Sequence, residues 1–176
     1  AYALVDGLVG SEMCIRDRKT SLEGCEAIVL PGGFSYGDYL RSGAIARFSP
    51  IMHEVINHAK IGGIVIGICN GFQILCESGL LPGALLHNTN QKFICKNVFL
   101  KAESNSALIT KHLSSSKAYS IPIAHGEGRY YADKKTLKLL NDNDQILFRY
   151  CDENAVPTAQ SNPCLLYTSD AADERH

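Results

Sequence analysis

Cys69 sits at the centre of Gly67-Ile68-Cys69-Asn70-Gly71, directly after the apolar run Ile64-Val65-Ile66. A thiol at the end of a buried strand, with a glycine two residues away on either side, has the form of a nucleophile elbow. In such an elbow the chain turns sharply from strand into helix, brings neighbouring backbone too close for a β-carbon, and holds the reactive atom above the sheet. The helix N-terminus behind the turn favours the thiolate, which is the attacking species, and the Asn70 N–H points where an oxyanion would form. On this reading Cys69 is built to attack a carbonyl. The competing reading is a small buried hydrophobe, because free cysteine is among the most buried residue types. Gly-x-Cys-x-Gly is too short to decide alone. Cys25, Cys76 and Cys95 lack such a context and read as core residues.

The elements that must position the thiol are legible around it. Ala27-Ile28-Val29-Leu30 is a short apolar run stopped by Pro31-Gly32-Gly33, which reads as a buried strand ending in a tight turn. Ser49-Pro50 is a good N-cap and first-position pair, and Ile51, Val55, Ile56 and Ala59 follow at helical spacing before Gly62-Gly63 closes the segment. Ile64-Val65-Ile66 then reads as a second buried strand, and Phe72, Ile74, Leu75 and Cys76 as the helix after the elbow. Strand, helix, strand, helix implies an α/β fold whose sheet is mostly parallel, with helices on both faces. Further along, residues 92–102 read as a strand, Leu137 to Leu140 as a short helix, Gln145 to Tyr150 as a strand, and Ser104 to Lys117 as an exposed polar connection.

Composition removes several classes of function. The 176 residues suffice for one compact domain with a core and are too few for two of ordinary size. The formal net charge of -1, with both signs scattered, leaves no basic footprint for nucleic acid and no polybasic membrane patch. No apolar run approaches the roughly 20 residues of a membrane span, and the N-terminus lacks signal-peptide order, so a cytoplasmic protein is expected. Seven cysteines at irregular spacing, with no Cys-x-x-Cys pair, support neither a disulfide framework nor a zinc site. His53, His58, His87 and His112 are spread without metal-ligand spacing and read as surface or capping residues; no metal is expected.

Both ends look foreign. Cys164 to Ser169 can be encoded by TGT CTC TTA TAC ACA TCT, whose reverse complement, read from its third base, spells Met13-Cys14-Ile15-Arg16-Asp17. A DNA adapter joined to both ends of a fragment produces such a relation; two ends of one gene have no physical reason to. Residues 1–18 and 164–176 are therefore expected to be adapter-derived, and residues 19–163 to form an incomplete domain, truncated at both ends.

Three segments taken together are more specific than the elbow. Pro31 to Ala44 (PGGFSYGDYLRSGA), Gly67 to Leu75 (GICNGFQIL) and Ile121 to Arg129 (IPIAHGEGR) resemble the glutaminase subunits of phosphoribosylformylglycinamidine synthases, a branch of the class I glutamine amidotransferases with a flavodoxin-like fold. The resemblance runs from about Thr20 to about Asn154. Residues 40–48 and Gly79 to Leu85 look more like the small, free-standing subunit than the fused form. The resemblance implies that Cys69 attacks the side-chain amide of glutamine, releases ammonia and holds a glutamyl thioester until water cleaves it. It further implies that the Gly33 and Asn70 N–H groups form the oxyanion hole and that Gln73 helps define the glutamine pocket.

The ammonia would serve conversion of formylglycinamide ribonucleotide to formylglycinamidine ribonucleotide in purine biosynthesis. The implied partner is a separate synthase subunit that carries ATP and Mg, with a small accessory subunit left open. No cofactor is expected in this subunit, and its sequence has no Gly-Lys-Ser/Thr phosphate loop. The family places the base and its orienting acid on a late Pro-His-Pro-Glu segment that this sequence lacks, so the chain as written is expected to be inactive. His125-Gly126-Glu127 has the same His-x-Glu spacing. The resemblance puts it in a different segment, where His125, Glu127 and Arg129 shape the glutamine pocket or the synthase interface. The alternatives are another class I amidotransferase or cysteine hydrolase, and a noncatalytic binding subunit of the same fold.

Overall fold

The structure, a computed structural model, describes residues 21–22, 25–35 and 37–164. The chain divides between Ala84 and Leu85 into two compact units. The expected foreign segment 1–18 lies outside the described residues, and of the expected foreign segment 164–176 only Cys164 is described.

In the first unit, β1 (Ala27–Leu30) and β2 (Ile64–Gly67) pair in parallel, Ala27 opposite Ile64 and Leu30 opposite Gly67. The chain passes between them through a 3₁₀ turn (Ala46–Phe48) and helix α1 (Ile51–Lys60). Ser49 is extended (φ −57°, ψ 135°) and Pro50 already helical (φ −52°, ψ −35°), which is the geometry expected of an N-cap and first helical residue. At the other end the Gly63 N–H donates to His58 O and the Gly62 N–H to Ala59 O, with Gly62 at φ 88°. This Schellman closure satisfies the last carbonyls and needs a residue free to adopt positive φ. Met52 and Val55 of α1 meet Ile28 of β1 in a buried cluster, flanked by Leu22, Leu30, Val65, Ile74 and Leu80. Each such side chain contributes roughly 1.5–3 kcal/mol by leaving water. The two strands are less enclosed than their apolar runs suggest: Val29 is 37% and Ile64 43% exposed. Helix α2 (Asn70–Glu77) follows β2 and packs on both strands, burying Leu75 and Cys76.

The second unit is largely antiparallel. Strand β3 (Ala84–Leu86), which leads into it, pairs with β6 (Arg129–Tyr131). A three-stranded sheet has β4 (Ile94–Ala102) at its centre, flanked by β5 (Tyr119–His125) and β7 (Phe148–Cys151), both antiparallel to it. Val98, Ala102 and Cys151 are its buried side chains. Helix α3 (Lys134–Asp142) starts at Asp133, whose carboxylate accepts the Thr136 N–H at 2.7 Å.

The α/β class is as expected; β1 and β2 pair in parallel, whereas the larger, three-stranded sheet is antiparallel. The expected helix at Leu137–Leu140 is the middle of α3, and the expected strand from Gln145 begins only at Phe148. Residues 104–117 form turns, as a connection should, yet Ser104 and Thr110 are buried rather than exposed. The Ser104 hydroxyl donates to Asp144 and accepts the Ser106 N–H, so its burial leaves no polar atom unpaired.

Candidate active site

Cys69 lies in the turn between β2 and α2 with φ 53° and ψ −113°. A side chain with a β-carbon rarely tolerates that backbone, and a conformation of this kind costs of order 1–3 kcal/mol. The glycines explain how it is held. A β-carbon on Gly71 would lie 1.9 Å from Leu30 O, and one on Gly67 would lie 2.6 Å from Leu75 Cδ1 and 2.7 Å from Gly71 O. The Ile68 N–H donates to Leu30 O at 2.8 Å, carrying the strand pairing into the turn, while Cys69 O receives the Phe72 and Gln73 N–H groups as α2 begins. The thiol is exposed at this end of the helix. The Asn70 N–H belongs to the first turn, where no helical carbonyl precedes it.

The loop after β1 runs beside the sulfur. A β-carbon on Gly32 would lie 3.2 Å from Cys69 Cβ and 3.8 Å from its Sγ, and Gly33 follows at φ 108°. Four points tie this loop to α2. The Asn70 amide donates to the Ser35 hydroxyl at 2.7 Å; Gly43 (φ 77°) rests on the backbone of Gln73 and Ile74; Arg41 pairs with the Glu77 carboxylate at 2.5 Å; and Arg47 donates to Glu77 O at 2.9 Å. Asp38 is buried inside the loop. It accepts the Ser35 N–H at 2.6 Å, the Ser35 hydroxyl at 2.7 Å and the Gly43 N–H at 2.8 Å. Gln73 is half-buried on α2, four residues beyond the thiol.

His125, Glu127 and Arg129 belong to the second unit, where they share one tight loop. Its hub is Asn88, 1% exposed. The Asn88 amide nitrogen donates to Lys92 O and His125 O, so its oxygen is the acceptor for the Gly128 N–H at 3.3 Å and for His125 Nδ1 at 3.0 Å. That pattern puts the proton of the neutral imidazole on Nδ1. Burial of the ring lowers the His125 pKa from its ordinary value, which also favours the neutral form. Glu127 pairs with His87 Nε2 at 3.2 Å, and Arg129 Nε donates to His87 O at 3.1 Å. Cys164, the first residue of the expected foreign tail, is buried here: its thiol faces Gly128 O at 3.4 Å and lies 4.0 Å from His125 Nε2. Burial raises the Cys164 pKa.

The other thiols divide unevenly. Cys76 is buried as expected, and desolvation, helped by Glu77, pushes its pKa up to about 11. Cys25 is half-buried, and Cys95, expected in the core, is exposed on β4. The core expectation rested on the general tendency of free cysteine to be buried; here Cys95 lies in the exposed stretch Cys95-Lys96-Asn97 of β4. Sequence reasoning missed Asp38, Ser35 and Asn88, whose roles depend on contacts between distant segments. The available signal was a string of turn-forming and side-chain acceptor residues between glycines.

With the elbow and its loop in place, comparison with known proteins is decisive. Residues 6–164 match the family described as CobB/CobQ-like glutamine amidotransferase domain. This chain belongs to that family. Among relatives of the amidotransferase domain, phosphoribosylformylglycinamidine synthase subunit PurQ of Synechocystis is 58% identical over 83% of this chain and 65% of its own length. The subunit of the same name from Salinibacter ruber is 50% identical over 82% of this chain and 62% of its own. A chain in the solved structure of PurLQS from Thermotoga maritima is 45% identical, with a TM-score of 0.65 over 77% of this chain and 61% of that one. The chain thus spans less than two thirds of the length of these relatives. The expected resemblance is met by relatives named as phosphoribosylformylglycinamidine synthase subunits. Among the described residues no helix is long and apolar enough to cross a membrane, and no three metal-ligating side chains cluster.

Proposed function

We propose that the protein is the glutaminase subunit of a phosphoribosylformylglycinamidine synthase and that Cys69 is its nucleophile. The observation that carries this reading is the Cys69 backbone at φ 53° and ψ −113° at the N-terminus of α2, with an exposed thiol and the Gly32–Gly33 loop alongside it. A structural cysteine needs neither the strain nor the glycines. In the proposed reaction the Cys69 thiolate adds to the side-chain carbonyl of glutamine, and its carbonyl oxygen becomes an oxyanion held by the Gly33 and Asn70 N–H groups. The C–N bond then breaks, ammonia leaves with a proton, and the acyl group remains as a thioester that water cleaves to glutamate, returning the thiol. Gln73, half-buried on α2, lines the glutamine pocket in this reading. His125, Glu127 and Arg129 shape the pocket or the surface that meets the synthase.

The ammonia passes to the synthase subunit, which holds ATP and Mg and converts formylglycinamide ribonucleotide to formylglycinamidine ribonucleotide, in the cytoplasm. The names of the relatives support the partner, and the elbow supports the thioester chemistry. The test is to incubate the full-length protein with glutamine and its synthase, quench in acid and map the adduct. A glutamyl group on the Cys69 peptide, together with glutamate release that rises when the synthase is added, is the expected result. Release that persists in Cys69→Ala, or an adduct on another cysteine, overturns the assignment.

A further inference from the structure

Asp38 has an unusual environment for a carboxylate. It is buried, and its three described donors are the Ser35 N–H, the Ser35 hydroxyl and the Gly43 N–H. A buried carboxylate is tolerated where several hydrogen bonds replace its lost water, and such charge-assisted bonds are about twice as strong as neutral ones. These three fix both ends of the loop segment 35–43. Because the Ser35 hydroxyl spends its proton on Asp38 Oδ1, its oxygen is left as an acceptor, and it takes the Asn70 amide proton at 2.7 Å. Asn70 is itself 5% exposed, and its Oδ1 has no hydrogen-bond partner. Among the described residues its side chain is thus held by one directional bond, the one from Nδ2 to Ser35. Gly43, anchored by Asp38 Oδ1, sits on α2 so closely that a β-carbon there would lie 2.9 Å from Ile74 N.

We infer that Asp38 is a positioning residue for the glutamine reaction: through Ser35 and Gly43 it locks the loop carrying Gly33 to the turn carrying Asn70. The two oxyanion donors come from different segments, and the Asp38–Ser35–Asn70 chain sets the distance between them. This inference rests on the glutaminase reading above. Loosening the chain leaves the thiol and the glutamine pocket in place and misplaces one donor, so it weakens the transition state and not the ground state.

The test compares Asp38→Asn, Ser35→Ala and the double variant with wild type, all as full-length protein with its synthase. Two rates are read: steady-state glutamine hydrolysis, and alkylation of Cys69 by iodoacetamide, which displaces iodide and forms no carbonyl oxyanion. An amide at position 38 turns a donor toward one of the present N–H or O–H donors and opens the lock. Asp38→Asn is expected to lower kcat on the order of 10–100-fold with KM and the alkylation rate within about 3-fold of wild type. Ser35→Ala removes a single oxygen and is expected to lower kcat by roughly 5–10-fold, with the double variant no worse than Asp38→Asn, because both act through one chain. Should Asp38→Asn fail to fold, Ser35→Ala decides. Unchanged kcat in the folded variants overturns the inference, as does a parallel fall in kcat and alkylation, which marks a merely structural carboxylate. Wild type without glutaminase turnover overturns the glutaminase reading itself and this inference with it; active wild type with unaffected variants overturns this one alone.

Discussion

The loop around Asp38 and the loop around Asn88 solve the same problem with opposite chemistry. Each folds a glycine-rich segment about one buried polar side chain, in separate units of the chain. Asn88 both donates and accepts, and its four bonds all return to residues 92–128, so the loop closes on itself. Asp38 can only accept. Its donors leave the Ser35 oxygen turned outward, and the next bond in the chain reaches the residue after the nucleophile. A self-satisfied hub stabilises a surface; a hub with one directed exit transmits geometry. The comparison therefore separates positions that set stability from positions that set rate.

The largest effect belongs to the sulfur itself. In the full-length protein with its synthase, Cys69→Ala is expected to lower glutamate release at least about 10³-fold while leaving the urea midpoint near that of wild type, since the exposed thiol contributes little packing. Retention of turnover would end the nucleophile assignment. Thiol labelling sharpens the same point. At pH 8 a thiol at about 11, as in Cys76, is thiolate only to ~10⁻³, so iodoacetamide should reach Cys69 and the exposed Cys95 first. A glutamine-like electrophile should then distinguish Cys69 from Cys95 by mass mapping; preferential reaction at Cys95 or Cys76 breaks the assignment.

Stability variants probe the two loops. Gly71→Ala forces a β-carbon to 1.9 Å from Leu30 O and is expected to cost roughly 3 kcal/mol in urea unfolding, with the elbow disrupted. Asn88→Ala leaves buried donors and acceptors unpaired and is expected to cost about 1–3 kcal/mol, with faster amide exchange at Gly128 and an unchanged rate of Cys69 alkylation. A fall in that rate would show that the second hub also reaches the nucleophile. The smallest effect is at His125. Its folded pKa is lowered, so the unfolded chain takes up the proton first; stability is level above about 6.5 and declines as pH falls from there toward the folded value. The urea midpoint should drop between pH 7 and pH 5 more in wild type than in His125→Gln, and equal drops would contradict the burial argument.

The parts of the fold visible in the sequence are those whose signals are local. The apolar run Ala27–Leu30, the Ser49-Pro50 start, the Gly62-Gly63 stop and the elbow each combine a period with a residue that ends it, and each lies where expected. Strand β5 escaped notice because Pro122 interrupts it, and β3 and β6 because three residues are too few for a period. Ser104 and Thr110 looked exposed because polarity was the only cue, whereas tertiary hydrogen bonds decide their burial. The candidate site divides in the same way. Cys69 and Asn70 are marked by the spacing of the elbow and Gly33 by the family resemblance, but the bonds through Asp38 and Ser35 join residues up to 35 positions apart and leave no periodic trace.

Pro122 also bears on how the edge of the sheet meets other chains. It sits in β5, opposite Asn97, at the outer edge of the three-stranded sheet. Proline within a sheet is confined to edge strands, first positions and bulges, because it has no N–H to offer a neighbouring strand. The ring removes that donor and interrupts the row of free amides along which a second chain could add itself. Replacing it with a β-branched residue would improve the strand's own propensity and, at the same time, complete a template for edge-to-edge growth.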